Sequence, residues 1–207
     1  MFKLLAQEFV SQYSFLNLFN FITFRVGASI LTSLFFSLIF GQLIINKLSR
    51  IQPYGQPIRN DGPETHIIEK AGTPTMGGVL IILSVFFSSV LWSDLQNNFV
   101  WIGLLTLLTF GFVGFIDDYK KIKSNSSNGL KVNTRIVLQI VFALIISFII
   151  LNILDDKIST TIAFPFFKNL IINFGYFYLA IALFILVGSA NAVNLTDGLD
   201  GLAIVPV

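Results

Sequence analysis

The sequence predicts an all-α, polytopic membrane bundle, and three observations carry that expectation. Apolar residues make up 55% of the chain and charged ones only 12%, against roughly a quarter in soluble domains, with a mean hydropathy of +0.81. The charges are not spread evenly but leave long uncharged intervals, several of them near the ~20 residues that one helical crossing needs. Between those intervals lie polar stretches punctuated by Gly and Pro, the residues that end helices.

Residues 1–24 mix Phe, Leu and Tyr with Lys3, Glu8 and several Asn, Gln and Ser, an interfacial lead-in rather than a span. The first span is expected over 26–46, an uncharged interval bounded by Arg25 and Lys47. Arg25 is placed to snorkel at the interface. Loop 47–75 comes next, broken by Pro53, Gly55, Pro57, Gly62 and Pro74. Further spans are expected over 76–93, 99–116, 136–154 and 174–190, separated by a short turn at Asp94, loop 117–135 and a connection through 155–173. The whole of 1–207 reads as one integral membrane domain, with no soluble domain and no repeat of 20–50 residues. After Asp200 the chain turns apolar again for its last seven residues. The expectation is five complete transmembrane helices plus the start of a sixth, in a truncated form of something longer.

Charge placement orients the bundle. If loops 47–75, 117–135 and 191–200 are cytoplasmic, Lys47, Arg50, Arg59, Lys70, Lys120, Lys121, Lys123, Lys131 and Arg135 are inside. Only Lys3, Arg25, Lys157 and Lys168 are then outside. The positive-inside rule selects that orientation over its inverse. The net charge of +2 is too small to argue for nucleic acid, and the absence of Cys excludes disulfides and thiolate metal sites.

Polar knots at the ends of apolar runs are the functional candidates, because polar groups near the hydrocarbon are costly. Asp117-Asp118-Tyr119-Lys120-Lys121 joins two carboxylates to two ammoniums. It reads as a metal or proton-handling site, or as a charge cluster in the headgroup zone. Asn191, Asn194, Asp197 and Asp200 recur every third residue. A continuing helix would keep neighbours in that row close on one side; the alternative is a helix stop, with Gly198 and Gly201 as breakers and Thr196 or Asp197 as a cap. Lys70 to Gly78 is not a P-loop, which needs a different spacing, but small residues and hydroxyls before a helix start suit either an anion site or close helix packing. His66, the single histidine, has no second ligand nearby. The two acidic knots are expected to meet on one side of the membrane and hold a metal-bound diphosphate.

Three stretches together, Glu69 to Gly78, Gly114 to Tyr119 and Asn191 to Ala203, resemble phospho-N-acetylmuramoyl-pentapeptide transferase. That family lies among the polyprenyl-phosphate N-acetylhexosamine-1-phosphate transferases. The resemblance runs along the whole chain in order. It implies transfer of phospho-N-acetylmuramoyl-pentapeptide from its UDP derivative to undecaprenyl phosphate, at the cytoplasmic face of the bacterial inner membrane. Lipid I and UMP are the products, and Mg2+ is required. It further implies a ten-span homodimer and assigns roles: Asp117 as proton acceptor or covalent nucleophile, Asp118 as its support, and Lys70, Thr75 and Lys121 as nucleotide or phosphate contacts. Asn194, Asp197 and Asp200 would line the metal–diphosphate site, with Asp197 and Asp200 as metal ligands and a further metal-binding Asp beyond residue 207. The chain departs from the family's Gly-Leu-Ser-Ala-Arg-x-Lys at Gly129 to Arg135, where Asn133 replaces a basic residue and Arg135 a lysine. The competing expectations are the related N-acetylglucosamine-1-phosphate transferase, a non-catalytic remnant, and an ion-coupled transporter. The last calls for acids in mid-span, whereas Asp117, Asp118, Asp197 and Asp200 sit at span ends.

Overall fold

The computed structural model describes residues 1–53, 55, 72–126, 128–154, 159–164, 166–167 and 169–196. Its elements are α1 (Phe2–Phe9), a 3₁₀ segment (Ser14–Asn20), α2 (Ile22–Ile51), α3 (Gly78–Trp92), α4 (Asn98–Ser124), α5 (Val132–Ile153), β1 (Thr161–Ala163), β2 (Ile171–Asn173) and α6 (Phe177–Thr196). The chain divides into two compact units, Met1–Lys131 and Val132–Val207.

In the first unit α2 packs chiefly on α3, and α3 on α4. The 30 residues of α2 rise about 45 Å, well beyond the ~30 Å of hydrocarbon, so its last turns and Gln52 reach past the apolar layer. Its Ile30, Leu34 and Leu38, one helical turn apart, are all exposed, as a lipid-facing row requires. Close packing comes from small residues. Gly41 lies against Leu80, Gly111 against Ile82, and the buried residues of α3 are Ser84 and Ser88, whose hydroxyls donate back to Ile81 and Val85 carbonyls.

Helix α3 is shorter than the 76–93 expected. Pro74 precedes it, and Met76 takes φ 75°, a left-handed conformation that no helix can contain. The 15 residues span about 22 Å. Among the described residues four helices, α2, α4, α5 and α6, are long and apolar enough to cross a membrane, and α3 is a shorter apolar helix. Helix α4 exceeds expectation at the other end, running eight residues past Ile116 to Ser124. It starts on an Asn97 side-chain cap to the Phe99 N–H, 2.9 Å. It stops where Asn125 turns left-handed (φ 46°) and the Asn125 and Ser126 N–H groups satisfy Ile122 and Lys121 carbonyls.

The lead-in folds onto the far end of α3. Trp92 is ringed by Phe2, Phe19 and Phe24, with Phe19 stacked at 5.7 Å, and its Nε1 donates to Thr32 at 2.9 Å. Lys3 pairs with Asp94. Arg25 reaches the Trp92 carbonyl at 3.4 Å, anchoring the start of α2.

In the second unit α5 packs on α6, and Gln139, Ala143, Ile146 and Ser147 of α5 are buried. The all-α expectation fails locally at the connection, where β1 and β2 pair antiparallel with Ile162 opposite Ile172. β-Branched residues on both sides of a turn favour that hairpin.

The packing around Trp92 and Asp94 sets two measurable outcomes. Trp92→Ala should destabilise the detergent-solubilised protein by about 3–5 kcal/mol in thermal unfolding. Trp101→Ala should cost far less, because Trp101 is 48% exposed. The hydrogen bond from Lys3 holds the Asp94 carboxyl below its ordinary range. The ionised form is the one stabilised, so the contribution is complete above about pH 4 and is lost as pH falls through the depressed folded value. The melting difference between wild type and Asp94→Asn should therefore shrink on acidification below about pH 4.

Candidate functional site

The polar residues of the first unit converge where α2 ends, α3 begins and α4 leaves its apolar segment. Asp117 and Asp118 are adjacent on α4, and Lys121 lies three and four residues on, one helical turn away. Its ammonium sits 2.6 Å from Asp117 Oδ2 and 3.0 Å from Asp118 Oδ1, so one cation holds both carboxylates. Lys120 is exposed and outside this arrangement, and Tyr119 stacks on Phe115.

Each carboxylate has a second donor from another segment. The Thr75 hydroxyl donates to Asp118 Oδ2 at 3.0 Å, across 43 residues of sequence. The Leu130 N–H donates to Asp117 Oδ1 at 2.8 Å. The backbone comes this near because residue 129 is glycine: a Cβ there would lie 2.6 Å from the Asp117 carboxyl carbon and 2.7 Å from Oδ2. Among the described residues the two carboxylates are met by one shared ammonium, a hydroxyl and a backbone N–H. Carboxylates gathered this way at a helix end are suited to accepting a proton or meeting a cation. Its acceptor atoms are all oxygen, the ligand type that magnesium takes from one or two carboxylates together with waters and substrate phosphates. Among the described residues no three acidic or histidine side chains gather into a metal cage.

Of the residues expected from the sequence, Thr75, Asp117, Asp118 and Lys121 are brought together. Lys70, His66, Asp197 and Asp200 lie outside the described residues. Asn191 and Asn194 lie in the second unit, where the helix continues to Thr196 instead of stopping at Ala190. The row is not uniform. The Asn191 amide donates to Gln139 Oε1 at 2.7 Å and to the Val187 carbonyl at 2.8 Å, a polar bridge between α5 and α6 of the kind that joins helices in apolar surroundings. Asn194 is exposed one turn on. Asn133 and Arg135 lie in the first turn of α5.

Sequence reasoning misses two contributors. Gly129 opens the stretch compared with the family's basic motif, but nothing in the sequence says that its backbone lies against Asp117. Gln52 belongs to no motif, yet it is 4% exposed and bonds Thr75 twice: its Oε1 accepts from the Thr75 N–H at 2.9 Å, and its Nε2 donates to the Thr75 carbonyl at 3.2 Å.

Comparison with known proteins agrees with the motifs. The family model for glycosyl transferase family 4 matches residues 100–207, more than half of the chain. The chain belongs to this family. Residues 70–82 match a signature described as phospho-N-acetylmuramoyl-pentapeptide-transferase signature 1, a stretch that contains Thr75. Three relatives bear the name phospho-N-acetylmuramoyl-pentapeptide-transferase. The Rickettsia prowazekii protein is 50% identical over 92% of this chain and 52% of its own length. The Pelagibacter ubique protein is 48% identical over 98% and 56%, and the Gluconobacter oxydans protein 46% identical over 100% and 57%. The chain thus spans just over half the length of the curated relatives it matches, and its resemblance to that transferase branch is borne out.

The two close glycine contacts differ in consequence. Gly111→Ala should cost under about 1 kcal/mol, since only the mobile tip of Ile82 must move, whereas Gly129→Ala should cost about 1–3 kcal/mol because it displaces a bonded carboxylate. Thermal unfolding of the two variants in detergent checks the order.

Proposed function

We propose that the protein is a magnesium-dependent phosphoglycosyl transferase that moves phospho-N-acetylmuramoyl-pentapeptide from its UDP derivative to undecaprenyl phosphate, yielding lipid I and UMP. The observation that carries this is the joining of Thr75, within the signature segment, to Asp118 and through Lys121 to Asp117. Two distant motifs form one charged cluster at helix ends, where a lipid-borne phosphate and a soluble nucleotide can both arrive.

In the proposed reaction Asp117 takes the proton of undecaprenyl phosphate. The freed phosphate oxygen attacks the sugar-bearing β-phosphorus of the UDP derivative, and the bond to the α-phosphate oxygen breaks to release UMP. Asp117 is fitted to the task by the Leu130 N–H and the Lys121 ammonium, which fix its direction. Phosphoryl transfer depends mainly on in-line positioning and charge neutralisation, so Lys121, Lys70 and Thr75 serve as phosphate or nucleotide contacts. Asp118 holds Lys121 and Thr75 in place. Magnesium, when bound, neutralises the diphosphate; Asp197 and Asp200 are assigned to hold it, with Asn194 beside them at the substrate. The same proposal places five crossings in the bacterial inner membrane, the N-terminus outside, the site on the cytoplasmic face, and a homodimer as the working assembly. The match at residues 70–82 favours the muramoyl substrate over N-acetylglucosamine 1-phosphate.

Lipid I formation would be measured in membranes depleted of the host enzyme, with magnesium and both substrates. The chain would be expressed alone and beside the part of a relative that it does not match. Asp117→Asn should lower turnover by about 100-fold or more, the scale of a lost general base. Unchanged turnover in that variant would remove Asp117 from the chemistry.

A further inference from the structure

Gln52 belongs to no motif, yet both ends of its carboxamide are hydrogen-bonded to the Thr75 main chain. It terminates α2, where its own N–H caps the Leu48 carbonyl at 2.9 Å. Its side chain is buried and closes a two-bond ring on the Thr75 peptide groups. A carboxamide carries an acceptor and a donor on two adjacent atoms, so it can accept from an N–H and donate to a carbonyl at once, as a strand partner would. The residue after Thr75 needs such a hold. Met76 is left-handed at φ 75°, a conformation that is strained for a bulky residue and persists only where surroundings over-determine it. A second contact backs the first. Gly55 (φ 70°) lies so near Gly72 that an added Cβ would be 2.7 Å from the Gly72 Cα. Positions 52 and 55 thus face 75 and 72 as two rungs across the neck of the loop.

From this geometry we infer that Gln52 is a positioning residue: by clamping the Thr75 main chain it aims the Thr75 hydroxyl at Asp118. The inference deepens the proposed transferase function and rests on it for the effect on rate, whereas the placement of Thr75 can be measured without any reaction.

The chain contains no cysteine, so Thr75→Cys together with Asp118→Cys gives a clean pair for a short bifunctional thiol reagent in intact membranes. Added Gln52→Met, which keeps volume but makes neither bond, should cut the cross-linking rate at least about fivefold, while added Ser84→Ala should leave it unchanged. Cross-linking that persists with Gln52→Met would overturn the inference whether or not the protein is a transferase. In the active preparation Gln52→Met should lower kcat by on the order of ten- to a hundredfold, the range expected when a reacting group is misplaced, with KM moved less than about twofold. Gln52→Met added to Thr75→Ala should cause little further loss, because both act through one group. A Gln52→Met effect that simply multiplies that of Thr75→Ala would show that Gln52 acts elsewhere, and would equally overturn it. If no preparation turns over while cross-linking falls as expected, the positioning stands and the transferase proposal fails.

Discussion

Hydrocarbon offers no hydrogen-bond partner to a peptide group, and the architecture of this chain is a consequence of that constraint. Backbone within the apolar layer must satisfy itself, which for a single segment means helix. Hence the long apolar helices, the serine hydroxyls of α3 turned back onto carbonyls of their own helix, and the absence of proline from every one of those helices. Chemistry that needs ionised side chains is then driven to helix ends, where water and headgroups can share the cost. Helix α4 meets both demands in one element: an apolar stretch to Ile116, then two further turns that carry Asp117, Asp118 and Lys121 before Asn125 ends it.

Those two turns are what make the carboxylate pair usable. A helix ending at Ile116 would leave the aspartates on irregular backbone with no fixed relation to Lys121. Continued helix places the ammonium one turn along, against both acids. The remaining lone pairs are met by groups from other segments, Thr75 and the Leu130 N–H. The Gly129 approach and the Gln52 clamp are the backbone side of the same arrangement, each bringing a main-chain segment to a carboxylate or to the group that serves it.

The second unit uses similar residue types for a different end. Asn191 donates to Gln139 inside an apolar helix pair, a bond spent on packing, while Asn194, one turn on, is exposed. Identical side chains in one periodic row therefore differ according to what faces each of them.

The sequence by itself determined the membrane class, the apolar helices, the charge bias of the loops and the choice of Thr75, Asp117, Asp118 and Lys121 as candidate site residues. Those depend on composition, on uncharged runs measured against bilayer thickness, and on motifs contiguous along the chain. The exact limits of α3 and α4 were not legible, because a left-handed Met76 and a helical turn around two acids are settled by neighbouring segments. Nor was the β1–β2 hairpin, whose short strands sit in a polar connection. Tertiary structure alone decided that Thr75 reaches Asp118, that Asn191 is spent on Gln139, and that Gly129 and Gln52 belong to the site. Each is a contact between residues far apart in sequence, and its energy exists only once the helices have packed.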